Sequence, residues 1–263
     1  MKLQCHFLEK PWGRSDIAAR FRAPPGQKTG EIWYEGAPQA FGLLAKYLFT
    51  SEKLSIQVHP DDAQAAARGH ASGKTEFWYV IDAHPGATIG IGTKARMSPS
   101  TLGEAALSGD IEDMMNWRDV AVGDSFLVPP GTIHAIGPGV TLVEIQQAAD
   151  ITYRLYDYGR PRELHLDDGI AVARAEPYRD SLWCHAPLAN DARLTAGPPF
   201  AVQLCGTDLT GVPDDRPLLV VPLAGTIETG GNGGGCGDCF YLNNAAALYA
   251  SPGARMLIAW QVP

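Results

Sequence analysis

The sequence predicts a mainly β protein. It reads as a barrel or sandwich of short strands with one small helical insertion, followed by a second, smaller β unit. Three observations carry this. Short apolar or alternating runs recur along the chain between Gly and Pro turns. One stretch, about residues 98–116, is instead rich in Ala, Leu, Met and Glu without β-branched runs, which favours helix. After Arg160-Pro161-Arg162 the character loosens, and short apolar runs resume only near residue 200.

In chain order, residues 1–36 combine aromatic anchors (Trp12, Trp33, Tyr34) with a loop at Pro24-Pro25-Gly26, and residues 30–35 read as a strand. Residues 41–49 are largely apolar and fit either a strand or a short helix. Residues 54–58 form a strand on which Ser55, Gln57 and His59 share one side, while Leu54, Ile56 and Val58 face an opposite, packed side. Pro60 and Asp61-Asp62 open a short helix over residues 62–68, where acidic residues suit the helix start. Residues 77–82 and 87–91 are strands around the turn His84-Pro85-Gly86. Ser98 or Ser100 caps the helical insertion. Strands resume at 125–128, 132–136 and 141–146. Residues 163–200 read as a connector with loose strands, giving a catalytic domain over 1–162 and a connector plus smaller β domain over 163–263. In the latter, 200–204, 218–223, 239–242, 247–249 and 255–260 are strand candidates. The glycine-rich tract at 230–238 is expected to be a mobile hairpin tip.

At 263 residues, the chain can bury a core as one large domain or two modest ones. Its hydrophobic fraction of 45% and charged fraction of 19% exclude a disordered chain. A net charge of −8 without a basic run argues against nucleic acid as a partner, because phosphate backbones need clustered Lys and Arg. No run approaches the ~18 apolar residues of a membrane span. A charge at Lys2 comes too early for a secretory segment, so a cytoplasmic location is expected. The odd, scattered set Cys5, Cys184, Cys205, Cys236 and Cys239 fits a reducing compartment.

The chemistry concentrates in two places. Gly123, Pro129, Gly131 and His134 fit the second half of the cupin signature, in which a Pro-Gly reversal starts a strand with an inward histidine. The first half of that signature carries a His-x-His pair and a later carboxylate. Here Gln57-x-His59 stands for the pair, and Glu76 follows 17 residues after His59 (76 − 59), across the expected 62–68 helix. Two imidazoles, a carboxylate and an amide oxygen make an N/O set suited to a divalent metal. With Gln57 neutral, the bound ion keeps net positive charge, as a Lewis acid requires. Taken alone, either histidine would be an ordinary core residue; the combination favours ligation. Cys236-x-x-Cys239 lacks a partner pair and reads as loop content, and Gly90-x-Gly92 lacks a phosphate-loop lysine. Arg20, Arg22 and Arg68 read as surface charges.

Several linked segments then resemble one family. Gly30-Glu-Ile-Trp33, Leu43-Leu-Ala-Lys46, Glu52 through Asp62, Gly73-Lys-Thr-Glu-Phe-Trp-Tyr79, Val128 through Ala135 and Asp150 through Arg160 are similar, in order, to the type I mannose-6-phosphate isomerases, especially the short bacterial branch. The resemblance covers about residues 5–175; beyond that it is a general likeness to a smaller cupin-like unit. It implies a cupin (jelly-roll) barrel and an enzyme using one Zn2+ per chain to interconvert mannose 6-phosphate and fructose 6-phosphate. It places the zinc ligands on Gln57, His59, Glu76 and His134 and the catalytic arginine on Arg154. Ser55, Lys74 and Glu144 fall on further active-site positions, with one extra residue between His134 and Glu144. A position often held by lysine falls near Arg160. Substrate contacts are thus expected from Ser55, Lys74, Arg154 and Arg160. The implied partner is a small sugar phosphate, not nucleic acid or membrane.

An aldose–ketose isomerase moves a proton between C1 and C2 through an enediol, so the developing oxyanion needs electrostatic stabilisation. Lys74, two residues from a ligand, is expected near the ion, with a lowered pKa if it transfers protons. Glu144 and Lys74 are both open as the base. Two other classes compete: an Fe(II) cupin dioxygenase built on the trio His59, Glu76 and His134, and a metal-free or metal-stabilised sugar-phosphate-binding module without turnover.

Overall fold

The computed structural model describes residues 1–262. The chain is mainly β. Twelve strands come first: β1 (Gln4–Arg14), β2 (Thr29–Glu35), β3 (Leu43–Phe49), β4 (Ile56–Val58), β5 (Glu76–Ala83), β6 (Thr88–Thr93), β7 (Met115–Asp119), β8 (Asp124–Val128), β9 (His134–Ile136), β10 (Val140–Gln147), β11 (Tyr153–Tyr156) and β12 (Trp183–His185). They form a seven-stranded sheet ordered β1-β2-β3-β10-β5-β8-β12 and a five-stranded sheet ordered β11-β4-β9-β6-β7. Trp78 and Val80 of β5, Leu142 of β10, Ile89 and Ile91 of β6 and Ile136 of β9 fill the space between the two sheets.

The remaining strands are β13 (Ala192–Thr195), β14 (Phe200–Cys205), β15 (Leu218–Ala224), β16 (Thr226–Thr229), β17 (Asn232–Gly235), β18 (Phe240–Leu242), β19 (Tyr249–Ala250) and β20 (Arg255–Gln261). Five of these make a sheet ordered β13-β14-β20-β15-β18, and β17-β16-β19 make a small one. The larger sheet lies against the outer face of the seven-stranded sheet. Val202, Leu219, Val221 and Leu257 pack with Tyr47, Phe77, Tyr79, Val143 and Ile145 in one core. Tyrosines at this contact place their hydroxyls on carbonyls across it, Tyr34 on Gly237 at 2.8 Å and Tyr47 on Pro222 at 3.2 Å, so their polar ends stay satisfied.

Helices cover the other side. The exception is α1 (Ala18–Phe21), one turn after β1, whose Phe21 packs on Tyr47 and Phe49 on the side of the second unit. α2 (Asp62–Ala66) starts at Asp61, whose side chain accepts from Gln64 N while the Gln64 side chain returns to Asp61 N. In the insertion, Ser98 caps α3 (Pro99–Ser108), Gly109 ends it at φ 90°, and α4 (Ile111–Met114) follows. The insertion ends sooner than residue 116, because Met115 already pairs with Thr93 as β7 begins. Within residues 163–200 the chain forms a helix, α5 (Leu166–Val172), that the loose-strand expectation did not contain. α3 and α5 bury Leu102, Ala105 and Val172 against Ile56, Val58, Tyr153 and Leu155. They back the strand that carries Gln57.

β12 pairs with β8, so the chain is still adding to the first unit at His185. The sheet of the second unit starts at Ala192. The tract at 230–238 is not a free tip. Only Gly230 and Gly231 make the reversal; β17 pairs along β16, and Asp238 is buried, with Lys2 Nζ at 2.9 Å and Arg22 also paired to it.

Candidate metal and active site

Strand register assembles the site. Gln57 lies opposite His134 across β4 and β9, and opposite Arg154 across β4 and β11. Glu144 lies opposite Lys46 on one side and Trp78 on the other. Cross-strand partners share a face at close range, so residues far apart in sequence meet. Two reversals bring in the rest. Gly131, at φ 82°, donates its N–H to His59 O at 2.8 Å and turns β9 beside β4. Gly73 N donates to Asp62 Oδ1 at 2.7 Å, and a Cβ there would stand 2.5 Å from Asp61 C. The α2 loop thereby folds back on itself, and Glu76 arrives next to His59.

The result is a cluster of His59, Glu76 and His134 whose donor atoms lie within 4.8 Å of one another. All three side chains are sealed from solvent. His59 Nδ1 faces Ile151 O at 2.8 Å and His134 Nδ1 faces Thr132 O at 2.9 Å. A carbonyl accepts only from N–H, so each Nδ1 carries the proton and each Nε2 presents a lone pair inward. His59 Nε2 is 3.0 Å from Glu76 Oε1, and His134 Nε2 is 3.7 Å from Oε2. His59 Nε2 and both Glu76 oxygens have no hydrogen-bond partner, although Lys74 Nζ stands 3.0 Å from Oε1. Leaving such buried groups unmatched costs roughly 1–3 kcal/mol each. The donor set and its orphaned atoms fit a divalent cation.

Electrostatics agree. Burial pushes the His59 imidazole down to about 3, and His134 is lowered for the same reason, so both stay neutral. Burial would raise the Glu76 carboxyl, but the Lys74 ammonium outweighs it and holds it well below the usual range. Gln57 donates Nε2 toward His134 at 3.2 Å, while its Oε1 accepts from Ser55 at 3.2 Å. Three of the four expected donors therefore converge, and the amide oxygen points instead to Ser55.

Above the cluster opens a cavity of about 470 Å³, walled by Trp12, Trp33, Lys46, Ser55, Glu144 and Arg154 among others, with Gln57 and Lys74 at its base. Lys46 Nζ is 3.4 Å from Glu144 Oε1 and 3.9 Å from the Trp33 ring centre, and Trp78 Nε1 donates to Glu144 Oε2 at 3.0 Å. Arg154 donates to Glu163 O at 2.6 Å, and its buried Nε has no partner.

Several expectations change here. Leu54 lines the cavity and packs with Trp78, because β4 starts only at Ile56 and the alternation does not extend back to it. Beside Arg154, the second guanidinium on the cavity wall is that of Arg162. Arg160 turns away, donating to Lys53 O at 2.7 Å. The lysine with a lowered pKa is Lys46, through burial and then Lys74; Lys74 itself is raised, since Glu76 and Glu144 outweigh its burial.

No family model matches the chain. Mannose-6-phosphate isomerase of Streptococcus mutans is 36% identical over 210 residues, 65% of this chain and 66% of that protein. The mannose 6-phosphate isomerase structure from Bacillus subtilis superposes with a TM-score of 0.79 at 27% identity, covering 98% of both chains. The chain is thus similar in both sequence and fold to the mannose-6-phosphate isomerases. In sequence, the matched stretch spans just under two thirds of the Streptococcus relative. A mannose 6-phosphate isomerase structure bound with zinc and yttrium shares the fold at a TM-score of 0.69 and 13% identity, covering 100% of this chain and 99% of that one.

Gln57 and Arg154 line the cavity, and Gln57 joins it to the cluster of His59, Glu76 and His134. Lys46, Trp33 and Arg162 were not picked out as site residues from the sequence. Lys46 had a usable signal: it is the single charge inside the apolar run 43–49, which a buried strand does not tolerate without a partner. Arg162 had none, as its direction depends on a turn. Among the described residues no helix is long and apolar enough to cross a membrane.

Proposed function

We propose that this chain is a zinc-dependent isomerase interconverting mannose 6-phosphate and fructose 6-phosphate. One observation carries the reading most. Two neutral imidazole nitrogens and a carboxylate without a hydrogen-bond donor converge beneath a cation-lined cavity of hexose-phosphate size. The similarity to mannose-6-phosphate isomerases, one of them seen with zinc bound, supports it.

His59, Glu76 and His134 would hold the metal, with Gln57 supplying an oxygen once its amide turns. Bound there, a divalent cation provides Lewis-acid polarisation of the sugar's oxygens. The protein groups do the rest. The Glu144 carboxyl is raised by burial and then by Glu76, while Lys46 beside it is lowered. These opposite shifts bring a buried carboxylate and a buried amine toward each other, a pair able to take the C2 proton and return it to C1. Trp78 and the Trp33 ring fix the pair in place. Lys74, raised and tied to Glu76, stays an ammonium and stabilises negative oxygen on the enediol. Ser55 orients Gln57. Arg154, with Arg162, offers guanidinium forks to the phosphate. We place the reaction in the cytosol, where the five free thiols remain reduced.

The test is conversion of mannose 6-phosphate by the metal-loaded protein, with fructose 6-phosphate read through a coupled chromogenic assay. Turnover that chelator abolishes is expected. Sugar-phosphate binding without conversion would leave a binding module. The dioxygenase reading uses the same trio but leaves Lys46, Lys74 and Arg154 without a task; metal-dependent oxygen uptake in place of isomerisation would favour it.

A further inference from the structure

We infer that Asp157 is a positioning residue for substrate phosphate: it aims Arg162 into the cavity and ties the cationic end of the site to the turn after β11. The inference rests on the isomerase reading above and extends it to a residue that touches no substrate. Asp157 is buried, its side chain only 2% exposed. Arg162 donates to it through two nitrogens, Nε to Oδ2 at 2.5 Å and Nη2 to Oδ1 at 2.6 Å. Arg160 Nη2 also reaches Oδ1 at 2.9 Å. The bidentate fork fixes the plane as well as the position of the Arg162 guanidinium.

Two independent features show that this turn is held in place. Tyr158 sits at φ 55° and Gly159 at φ 77°. A bulky residue in that region costs about 1–3 kcal/mol and persists only where its surroundings enforce it. Here they do. Tyr158 packs edge-on to Tyr156 at 5.1 Å, Arg160 lies over its ring at 5.5 Å, and Arg160 also holds Lys53 O. The second feature is charge. The other cavity lysines are each matched by a carboxylate: Lys10 with Glu31, Lys46 with Glu144 and Lys74 with Glu76. Arg154, Arg160 and Arg162 share only one buried carboxylate, Asp157; Glu163 and Asp150 nearby are exposed. The excess positive charge suits a dianion, and the Arg154 guanidinium is lowered by its burial and by Arg162 and Arg160.

Asp157→Asn tests this in the metal-loaded protein. The substitution keeps shape and removes a negative charge. Were Asp157 only a counter-charge, the variant would bind phosphate more tightly. As a positioning residue its loss has the opposite sign. KM for mannose 6-phosphate rises about tenfold or more, kcat stays within about threefold, metal content is unchanged, and competitive inhibition by inorganic phosphate weakens by the same factor as KM. The double variant with Arg162→Ala should be no worse than Arg162→Ala alone. An unchanged or lowered KM, or a fall in kcat alone, overturns the proposal. If Asp157→Asn does not fold, Arg162→Lys decides: it keeps the charge but loses the fork, and a wild-type KM would overturn the proposal. A wild-type protein that converts no sugar phosphate would overturn the isomerase reading alone. Calorimetric titration with inorganic phosphate, wild type against Asp157→Asn, would still decide the positioning role.

Discussion

Replacing Lys46 by Met should make the protein's stability depend on pH in an unusual direction. Lys46 and Glu144 are each about 5% exposed and stand 3.4 Å apart. At an effective dielectric of about 20, their attraction is about 5 kcal/mol before desolvation is subtracted. Breaking such a pair typically costs about 3–5 kcal/mol, because one charge stays buried alone. Glu144 has an escape, since it can take a proton. Its carboxyl is already raised, by burial first and then by Glu76, with Lys46 the largest opposing influence. A carboxyl raised in the folded state contributes stability that is whole below the unfolded value near 4.5 and lost as pH climbs through the folded value. Deleting Lys46 removes the main opposition to that rise. The loss should therefore be small near pH 5 and grow by up to about 1.4 kcal/mol per pH unit above it. Near pH 8 it should reach about 3 kcal/mol, or roughly 6–12 °C in Tm for a chain of this size. Thermal melts of wild type and variant between pH 5 and 8 measure this. A Tm difference that is constant across that range would refute the electrostatic account of the pair.

Further outcomes follow from the same geometry. His134→Ala should lose both bound metal and isomerase turnover, checked by elemental analysis beside the coupled assay; full metal with retained turnover would reject its place among the ligands. Arg154→Ala should lower kcat/KM by about a hundredfold or more while metal stays bound, since charge-assisted contacts to the substrate are lost. Simultaneous metal loss would show Arg154 to be structural. Removing the metal with chelator should abolish turnover and lower Tm, with both restored by Zn2+, because the orphaned His59 and Glu76 atoms then regain a partner. Asp238→Asn should reduce stability by about 1 kcal/mol, since the half-exposed Lys2 and Arg22 regain water when they lose it, with little change in KM.

The half-buried strands were easier to read than the sandwiched ones. β4 and the turn before β9 carry a polar side and an apolar side, so Gln57, His59 and His134 stood out by spacing. β3, β5 and β10 are covered on both faces, one by the facing sheet and one by the second unit. Their sequences show no alternation to betray which side is inward. That is why residues 41–49 fitted helix or strand equally, and why Lys46 went unmarked as a site residue. α5 was missed because its seven residues include a glycine and two aspartates and bury only Gly169 and Val172. Leu54 was misplaced because strand alternation was extended two residues beyond the strand.

The linear chain by itself determined the β character, the Gly-Pro reversals and the types of donor available for a cation, since these are local properties of residue and spacing. Only the folded chain decided which donors meet, which lysine loses its charge most easily and whether Arg160 or Arg162 faces the cavity. Those outcomes depend on register between distant strands and on burial from both sides, and neither is written in any single segment.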